Sequence, residues 1–116
     1  MKHNKLLGRY GEILAALLLK IKGYRILDRN YRNRFGELDL VAKRGKVLVF
    51  VEVKTRSSKR FGQAAEAVGP QKQERIRKLA AAYCRHHSQN LYETALRFDV
   101  VEVYPPFSVH HIKNCF

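Results

Sequence analysis

Residues 36–55 read GELDLVAKRGKVLVFVEVKT and predict a β-hairpin. The first predicted strand covers Glu37–Ala42 and the second covers Lys46–Lys54, with a turn around Arg44-Gly45. The second strand has valine at positions 47, 49, 51 and 53, so one of its faces is wholly apolar. We therefore expect the hairpin to lie in the core of the protein, covered on its valine face.

The position of the turn predicts how the two strands pair. A turn centred between residues 44 and 45 places Glu37 opposite Glu52 and Asp39 opposite Phe50. Because side chains alternate between the two faces of a strand, Asp39 and Glu52 become diagonal neighbours on one face, roughly 7–8 Å apart at the backbone. Four charged residues share that face: Glu37, Asp39, Glu52 and Lys54. The prediction requires that neither strand contains a one-residue bulge.

Carboxylates that converge at a buried strand end repel one another and lose hydration. A bound Mg²⁺ or Mn²⁺ removes both penalties. Such a metal polarises a phosphoryl oxygen and lowers the pKa of a bound water, and Lys54 would orient that water or stabilise charge on the phosphate. The pattern thus favours phosphodiester hydrolysis. The same spacing is equally typical of a solvated set of cross-strand charges at an exposed sheet end, so the residues alone leave both interpretations open.

The segments around the hairpin predict an α/β fold. The first helix is expected over residues 5–22, with a side of small residues (Gly8, Gly11 and Ala15) and with Ala16 in the solvent stripe. A second helix is expected from Gly69-Pro70 to about residue 87. Further strands are expected over residues 24–28, 96–104 and 109–112, which gives the order α-β-β-β-α-β-β and a central mixed β-sheet flanked by α-helices. The 116 residues are expected to form a single domain, residues 1–116.

The charge of the chain predicts a polyanionic partner. Lysine and arginine number 23 against 10 acidic residues, for a net charge of +13, which favours nucleic acid over a membrane surface. The basic side chains expected to contact phosphates are Arg32, Arg34, Arg56, Lys59, Arg60 and Lys72. Tyr31 and Phe35 are placed to stack on exposed bases, although both could instead cap the core. A ribosome-associated basic protein would explain the charge but not the converging acids.

The N-terminal apolar run predicts no export signal. Residues 13–19 are apolar, but Glu12 interrupts the segment and no small-residue cleavage site follows it. The run is also shorter than the roughly 20 apolar residues of a membrane span. Two cysteines, Cys84 and Cys115, are too few for a disulfide scaffold. We therefore expect a cytoplasmic protein without a membrane partner.

Residues 36–41, GELDLV, and 49–56, VFVEVKTR, closely resemble the YraN-like family of small bacterial proteins. That family is similar to the PD-(D/E)xK nuclease superfamily, which includes Holliday-junction resolvases and restriction enzymes. The resemblance covers nearly the whole chain and extends to the segments RFDVV at 97–101 and NYR at 30–32. It implies a restriction-endonuclease-like core. Leu38 departs from the superfamily pattern, which has proline at this position.

The resemblance also implies a role for each site residue. Asp39 matches the metal-binding aspartate of the superfamily, while Glu52 and Lys54 match its E-x-K pair. Glu12 matches the helical glutamate that often completes the metal site, although an ion pair with Arg9 would explain it equally well. The implied activity is Mg²⁺- or Mn²⁺-dependent cleavage of DNA, with branched or structured DNA preferred by analogy. A homodimer would follow from a branched substrate. The alternative is a catalytically inactive nucleic-acid-binding or assembly module of the same fold.

Overall fold

The computed structural model describes residues 2–56, 69–87 and 95–115 of the chain. It contains two helices and five strands: α1 (Lys2–Ile21), β1 (Arg25–Asn33), β2 (Gly36–Arg44), β3 (Val47–Thr55), α2 (Pro70–His86), β4 (Ala95–Tyr104) and β5 (Ser108–Ile112). The predicted order α-β-β-β-α-β-β is confirmed for these residues. Strand β1 extends to Asn33, five residues beyond the predicted end at residue 28, and it lies at one edge of the sheet.

The five strands form one mixed sheet in the order β1-β2-β3-β4-β5. Neighbouring strands are antiparallel except β3 and β4, which pair in parallel because the chain between them passes through α2. The two helices cover opposite faces of this sheet. One core cluster joins α1 to residues such as Val49, Val51 and Val101, and the other joins α2 to Leu48 and Phe50. The expected mixed sheet flanked by helices is confirmed.

α1 packs on the sheet through its small residues. Ala15, Ala16 and Leu19 are buried, so the prediction that Ala16 faces solvent is wrong. At Gly11 an added Cβ would lie only 1.9 Å from Oγ1 of Thr55, and this close approach is what the small side chains permit. The opposite side of α1 consequently carries four exposed apolar residues: Leu6, Ile13, Leu17 and Ile21. Neither described helix is long and apolar enough to cross a membrane.

The β2–β3 hairpin pairs two residues away from the predicted register. Its turn consists of Gly45 and Lys46, so that Arg44 pairs with Val47 and Val41 pairs with Phe50. The predicted pairing of Asp39 with Phe50 is therefore wrong. The turn takes this position because its first central residue has a φ of +60°, which glycine adopts without strain. A shift by two residues leaves each side chain on its predicted face, because strand side chains alternate with period two.

The regular alternation of β2 breaks at Asp39. Leu38 packs in the α2 cluster, whereas Leu40, two residues later, packs in the α1 cluster. The pairing of β2 with β3 ends at Leu40 and Val51. On the other side of β2, Asn30 of β1 lies opposite Asp39 and has a φ of +53°. Asp39 thus lies where β2 and β3 separate, rather than on one regular face. The prediction that Asp39 and Glu52 share one face required two regular strands, and β2 is not regular at Asp39.

Candidate functional site

A cleft opens where β2 and β3 separate, beneath the N-terminal half of α2. Its volume is about 340 Å³. Three carboxylates and two cations line it: Glu37, Asp39, Glu52, Lys72 and Arg75. Its apolar part comes from Leu38 on β2 and from two α2 residues that belong to the core. The strand ends therefore bring the predicted acidic residues to one opening, and α2 adds positive charge to it.

Asp39 is held in place by the backbone of β3. Its Oδ2 accepts a hydrogen bond of 2.7 Å from the amide of Val53, at a point where the β2–β3 ladder has ended. Burial, together with the charges of Glu12, Glu52 and Glu37, raises the pKa of Asp39 to about 6, and the hydrogen bond from Val53 opposes this rise. A cation near Asp39 would reverse these effects by stabilising the carboxylate.

Glu52 has one oxygen in ion pairs and one without a partner. Its Oε1 lies 3.1 Å from Nζ of Lys54 and also accepts a hydrogen bond from Nζ of Lys72. Its Oε2 is buried and has no hydrogen-bond partner among the residues that the structure describes. Burial raises the pKa of Glu52, but the hydrogen bonds and charges of the two lysines outweigh it and hold the pKa below its ordinary value. Glu52 is therefore an ionised carboxylate with one unsatisfied oxygen.

Lys72 contacts the acidic residues of the cleft directly. The sequence predicted it as a phosphate contact in the first turn of α2, and the structure places its ammonium group on Glu52. Arg75, one helical turn further along α2, also lines the cleft and was not among the predicted site residues. Its spacing of three from Lys72, which puts both on one side of a helix, was the available signal.

Glu37 pairs with an arginine of the neighbouring strand. Its Oε2 lies 3.1 Å from the guanidinium of Arg32, which faces it across the β1–β2 register. Both side chains are exposed, so this pair contributes little to stability and remains available to solvent. The ion-pair partner of Glu37 is thus Arg32 rather than Lys54 or Arg56, and Glu37 still lines the cleft.

The remaining predicted phosphate contacts have different surroundings. Arg34 is exposed at the β1–β2 turn, with its guanidinium 4.9 Å from the centroid of the Phe35 ring. Arg56 has a buried Nε that lies 3.6 Å from the carboxylate of Glu102, which itself accepts a 2.9 Å hydrogen bond from the hydroxyl of Tyr104. Glu102 was missed by the sequence analysis, although an acid inside the apolar run of β4 was a signal. Lys59 and Arg60 lie outside the described residues.

Glu12 lies on the α1 side of β3. It lines a second cavity, of about 220 Å³, together with Gly8, Val53 and Thr55. Its charge contributes to the raised pKa of Asp39, so the two groups are within electrostatic reach across the strand end. In the part of the chain that the structure describes, no three His, Cys, Asp or Glu side chains stand close enough together to hold a metal ion. The metal-ligand roles of Asp39, Glu52 and Glu12 stay predictions.

Asp99 forms a separate buried cluster. Its carboxylate lies 2.8 and 2.9 Å from two nitrogens of Arg97 and 2.6 Å from Nε2 of His111, and it accepts a 3.0 Å hydrogen bond from the amide of Asn114. Burial raises the pKa of Asp99, but these partners outweigh it and hold the pKa below its ordinary value. Asp99 ties the C-terminal segment to β4.

Comparison with known proteins identifies the family. The model of the family described as "Uncharacterised protein family UPF0102" matches residues 11–103. This chain belongs to the UPF0102 family. The resemblance to the YraN-like proteins is confirmed by this match and by relatives that share close to half of its residues over their full length.

Three UPF0102 relatives illustrate the similarity. The UPF0102 protein of Alkaliphilus oremlandii is 47% identical and aligns over 97% of this chain and 99% of its own. Those of Rhodococcus opacus and Frankia casuarinae are 46% and 48% identical, with both chains covered completely. A solved structure, Pyrococcus furiosus SfsA in complex with Ca²⁺, aligns with 95% of this chain and 63% of that chain at 15% identity and a TM-score of 0.33, which is too low to support an argument.

Proposed function

We propose that this UPF0102 protein binds nucleic acid and hydrolyses its phosphodiester bonds with a divalent metal ion, Mg²⁺ or Mn²⁺, held by Asp39 and Glu52. The observation that carries the proposal is the buried Oε2 of Glu52, which has no hydrogen-bond partner in the described part of the chain and lies in a cleft that also contains Asp39. A buried carboxylate oxygen without a partner costs free energy that a bound cation would recover.

The donor atoms of the cleft suit a hard divalent cation. Carboxylate oxygens are the ligands that Mg²⁺ and Mn²⁺ prefer, and a cation beside Asp39 would favour its ionised form. Glu12 is the third carboxylate in this proposal, acting from the α1 side of the strand end. When bound, the metal would polarise a phosphoryl oxygen and lower the pKa of a water molecule.

The side chains around the carboxylates have complementary tasks. The Val53 amide fixes the orientation of the Asp39 carboxylate. Lys54 and Lys72 hold Glu52 ionised and present positive charge where a phosphate would enter. Arg75 adds a further cation at the wall of the cleft. These cations stabilise the negative charge that develops on the phosphate during hydrolysis.

The net charge of +13 supports nucleic acid as the substrate. DNA with branched or structured regions is the proposed class, by analogy with the junction resolvases of the nuclease superfamily that the YraN-like proteins resemble. The other phosphate contacts in this proposal are Arg32, Arg34, Arg56, Lys59 and Arg60.

A second candidate is an inactive binding module of the same fold. One observation favours it: two lysines already neutralise Glu52 through Oε1, so the acidic cleft does not need a metal for charge balance. Such a protein would bind nucleic acid through its basic surface without cutting it.

Cleavage of a substrate panel distinguishes the two candidates. Purified protein would be incubated with labelled four-way junction, flap, duplex and single-stranded DNA and with RNA, in Mg²⁺, Mn²⁺ or EDTA. We expect metal-dependent cutting that Glu52→Gln and Asp39→Asn abolish. The matched control is Glu74→Gln, an exposed acid on α2 that lies 3.7 Å from Lys78 and outside the cleft. Binding without cutting, on every substrate and metal, would favour the inactive module.

Metal binding provides a readout that does not depend on activity. Isothermal titration of Mg²⁺ or Mn²⁺ should show binding to the wild type and to Glu74→Gln, and loss of binding in Glu52→Gln. Equal metal affinity in all three proteins would contradict the proposed ligands.

A branched substrate also predicts a homodimer, because a junction offers two equivalent strands to a symmetric pair of sites. The four exposed apolar residues of α1 lie on one side of that helix, away from the sheet, and form a surface that a second copy could cover. Sedimentation should show a wild-type dimer that Leu17→Glu converts to a monomer. A monomeric wild type at concentrations well above those of the cleavage assay would contradict this prediction.

A further inference from the structure

Two shallow cavities meet at Phe35, beside the β1–β2 turn. One, of about 340 Å³, lies between this turn and the C-terminal half of α2. The other, of about 350 Å³, lies along the outer side of α2. Both are lined by Phe35 and Arg85, so they adjoin each other, and we call the two together the Phe35 surface. Its size is in the range of small-ligand sites.

The Phe35 surface combines an apolar floor with a cationic rim. The floor consists of the Phe35 ring with Ala81 and Ala82, whose small side chains leave space above α2. The rim carries the cationic side chains of Arg34, Lys78 and Arg85, and His86 lies beside them. A flat aromatic ring attached to a phosphate meets both requirements at once, because bases stack on aromatic side chains and guanidinium planes while cations hold the backbone.

Phe35 is held at its backbone by a hydrogen bond and at its ring by packing against the α2 core cluster. Oδ1 of Asn33 accepts a 2.8 Å hydrogen bond from the amide of Phe35, and the Asn33 amide group lies 3.2 Å from the hydroxyl of Tyr31. Tyr31 in turn packs edge-on against Tyr83 of α2, with ring centroids 5.0 Å apart. The ring does not have to be ordered when a ligand binds, which lowers the entropic cost of stacking.

A row of cations connects this surface with the cleft. Lys72, Arg75, Lys78 and Arg85 are spaced by three, three and seven residues along α2, so successive members are neighbours and the row winds about 140° around the helix. The ion pair of Lys78 with Glu74 is exposed, so a phosphate can replace the carboxylate at little cost. From Lys72 to Arg85 the helix rises about 20 Å, which is the length of about six stacked nucleotides.

We propose that the Phe35 surface binds an unpaired base of single-stranded DNA whose phosphates follow the α2 cations into the catalytic cleft. This inference rests on the proposed function, since it assigns a path for the substrate of that same site. It specifies the substrate class as DNA with a single-stranded segment of about six nucleotides next to the scissile bond.

The test compares a blunt DNA duplex with the same duplex carrying a single-stranded overhang of about six nucleotides. Affinities would be measured by fluorescence anisotropy in EDTA, where cleavage is not expected. We expect tighter binding of the overhang. Phe35→Leu, which keeps an apolar side chain but removes the ring, should weaken overhang binding by about 5- to 150-fold and leave duplex binding nearly unchanged. An overhang made of abasic nucleotides should show no effect of Phe35→Leu.

Two charge variants complete the test. Arg85→Ala should lower the slope of log affinity against log salt by about 0.7 for the overhang, since it removes one phosphate contact to a single strand. The matched control is Lys46→Ala, because Lys46 is exposed in the turn at the opposite end of the hairpin. This variant should leave the overhang preference unchanged. Thermal unfolding of each variant checks that the fold is retained.

The outcomes separate this inference from the proposed function. A protein that cuts DNA but shows no overhang preference, or a preference that Phe35→Leu leaves intact in a folded protein, overturns the Phe35 surface alone. A protein that prefers the overhang through Phe35 and never cuts retains the binding surface and overturns the nuclease. Failure to bind any single-stranded DNA overturns the inference whatever the catalytic result.

Discussion

Replacing Asp39 with asparagine should stabilise the protein at neutral pH, although it removes a proposed metal ligand. Burial and the neighbouring carboxylates raise the pKa of Asp39 from 3.8 to about 6. The folded state therefore holds this proton more tightly than the unfolded state. The resulting stability is fully present below pH 3.8 and is lost as the pH rises through about 6.

The size of this effect follows from the two pKa values. Their difference corresponds to about 3 kcal/mol between the protonated and ionised forms. Asparagine carries no charge and can still accept the hydrogen bond from the Val53 amide. Asp39→Asn should therefore recover up to about 3 kcal/mol above pH 7, or roughly 10 °C in Tm for a chain of this length, and almost nothing near pH 4.

Thermal unfolding followed by circular dichroism from about pH 4 to about pH 8 tests this prediction. Glu74→Gln serves as the matched control and should not change the pH dependence, because its side chain is 71% exposed. Added Mg²⁺ should raise the Tm of the wild type and leave that of Asp39→Asn unchanged, because a ligand that binds the folded state stabilises it. A gain in stability that is the same at all pH values, or a loss at pH 8, would refute the reasoning.

Two further predictions concern the packing of α1 and the charge of the cleft. Gly11→Ala should destabilise the protein by about 1–3 kcal/mol in urea unfolding, because its Cβ would collide with Oγ1 of Thr55, and adding Thr55→Ala should recover part of the loss. Unchanged stability of the single variant would contradict the close packing of α1. Lys72→Met should raise the pKa of Glu52 in an NMR titration, because it removes a hydrogen bond and a positive charge, whereas Lys78→Met on the same helix should not. A Glu52 pKa that is the same in both variants would contradict the contact.

The arrangement of elements could be predicted from the sequence because each element has a strong local signal. The valines of β3 show period two, and Gly69-Pro70 marks the start of α2. The hairpin register was harder, because it depends on which residue of the turn adopts positive φ. Gly45 is the first central residue of the turn, and the observed pairing of β2 with β3 therefore differs from the predicted one by two residues. Since two is the period of a strand, this shift alone would have kept the predicted faces, but the break in alternation at Asp39 takes that residue off the shared face.

The missed features depend on contacts between segments distant in sequence. α1 has apolar residues on several sides, so its periodicity could not decide that Ala16 faces the sheet and Leu17 faces solvent. That choice is made by the close approach of α1 to Thr55. In the same way, the contact of Lys72 with Glu52 joins residues on α2 and β3, and neither segment alone carries a signal for it.

The position of the Gly45-Lys46 turn makes it a suitable attachment point for single-molecule experiments. The turn lies about 20 Å along β3 from Glu52, at the end of the hairpin remote from the cleft. The backbone carbonyl of Lys46 accepts a hydrogen bond from Ala95, but its side chain is exposed and can be exchanged without disturbing that bond. A thiol placed at position 46 would therefore attach single molecules to a surface with the cleft facing solution, so that the proposed binding and cutting of DNA could be timed event by event.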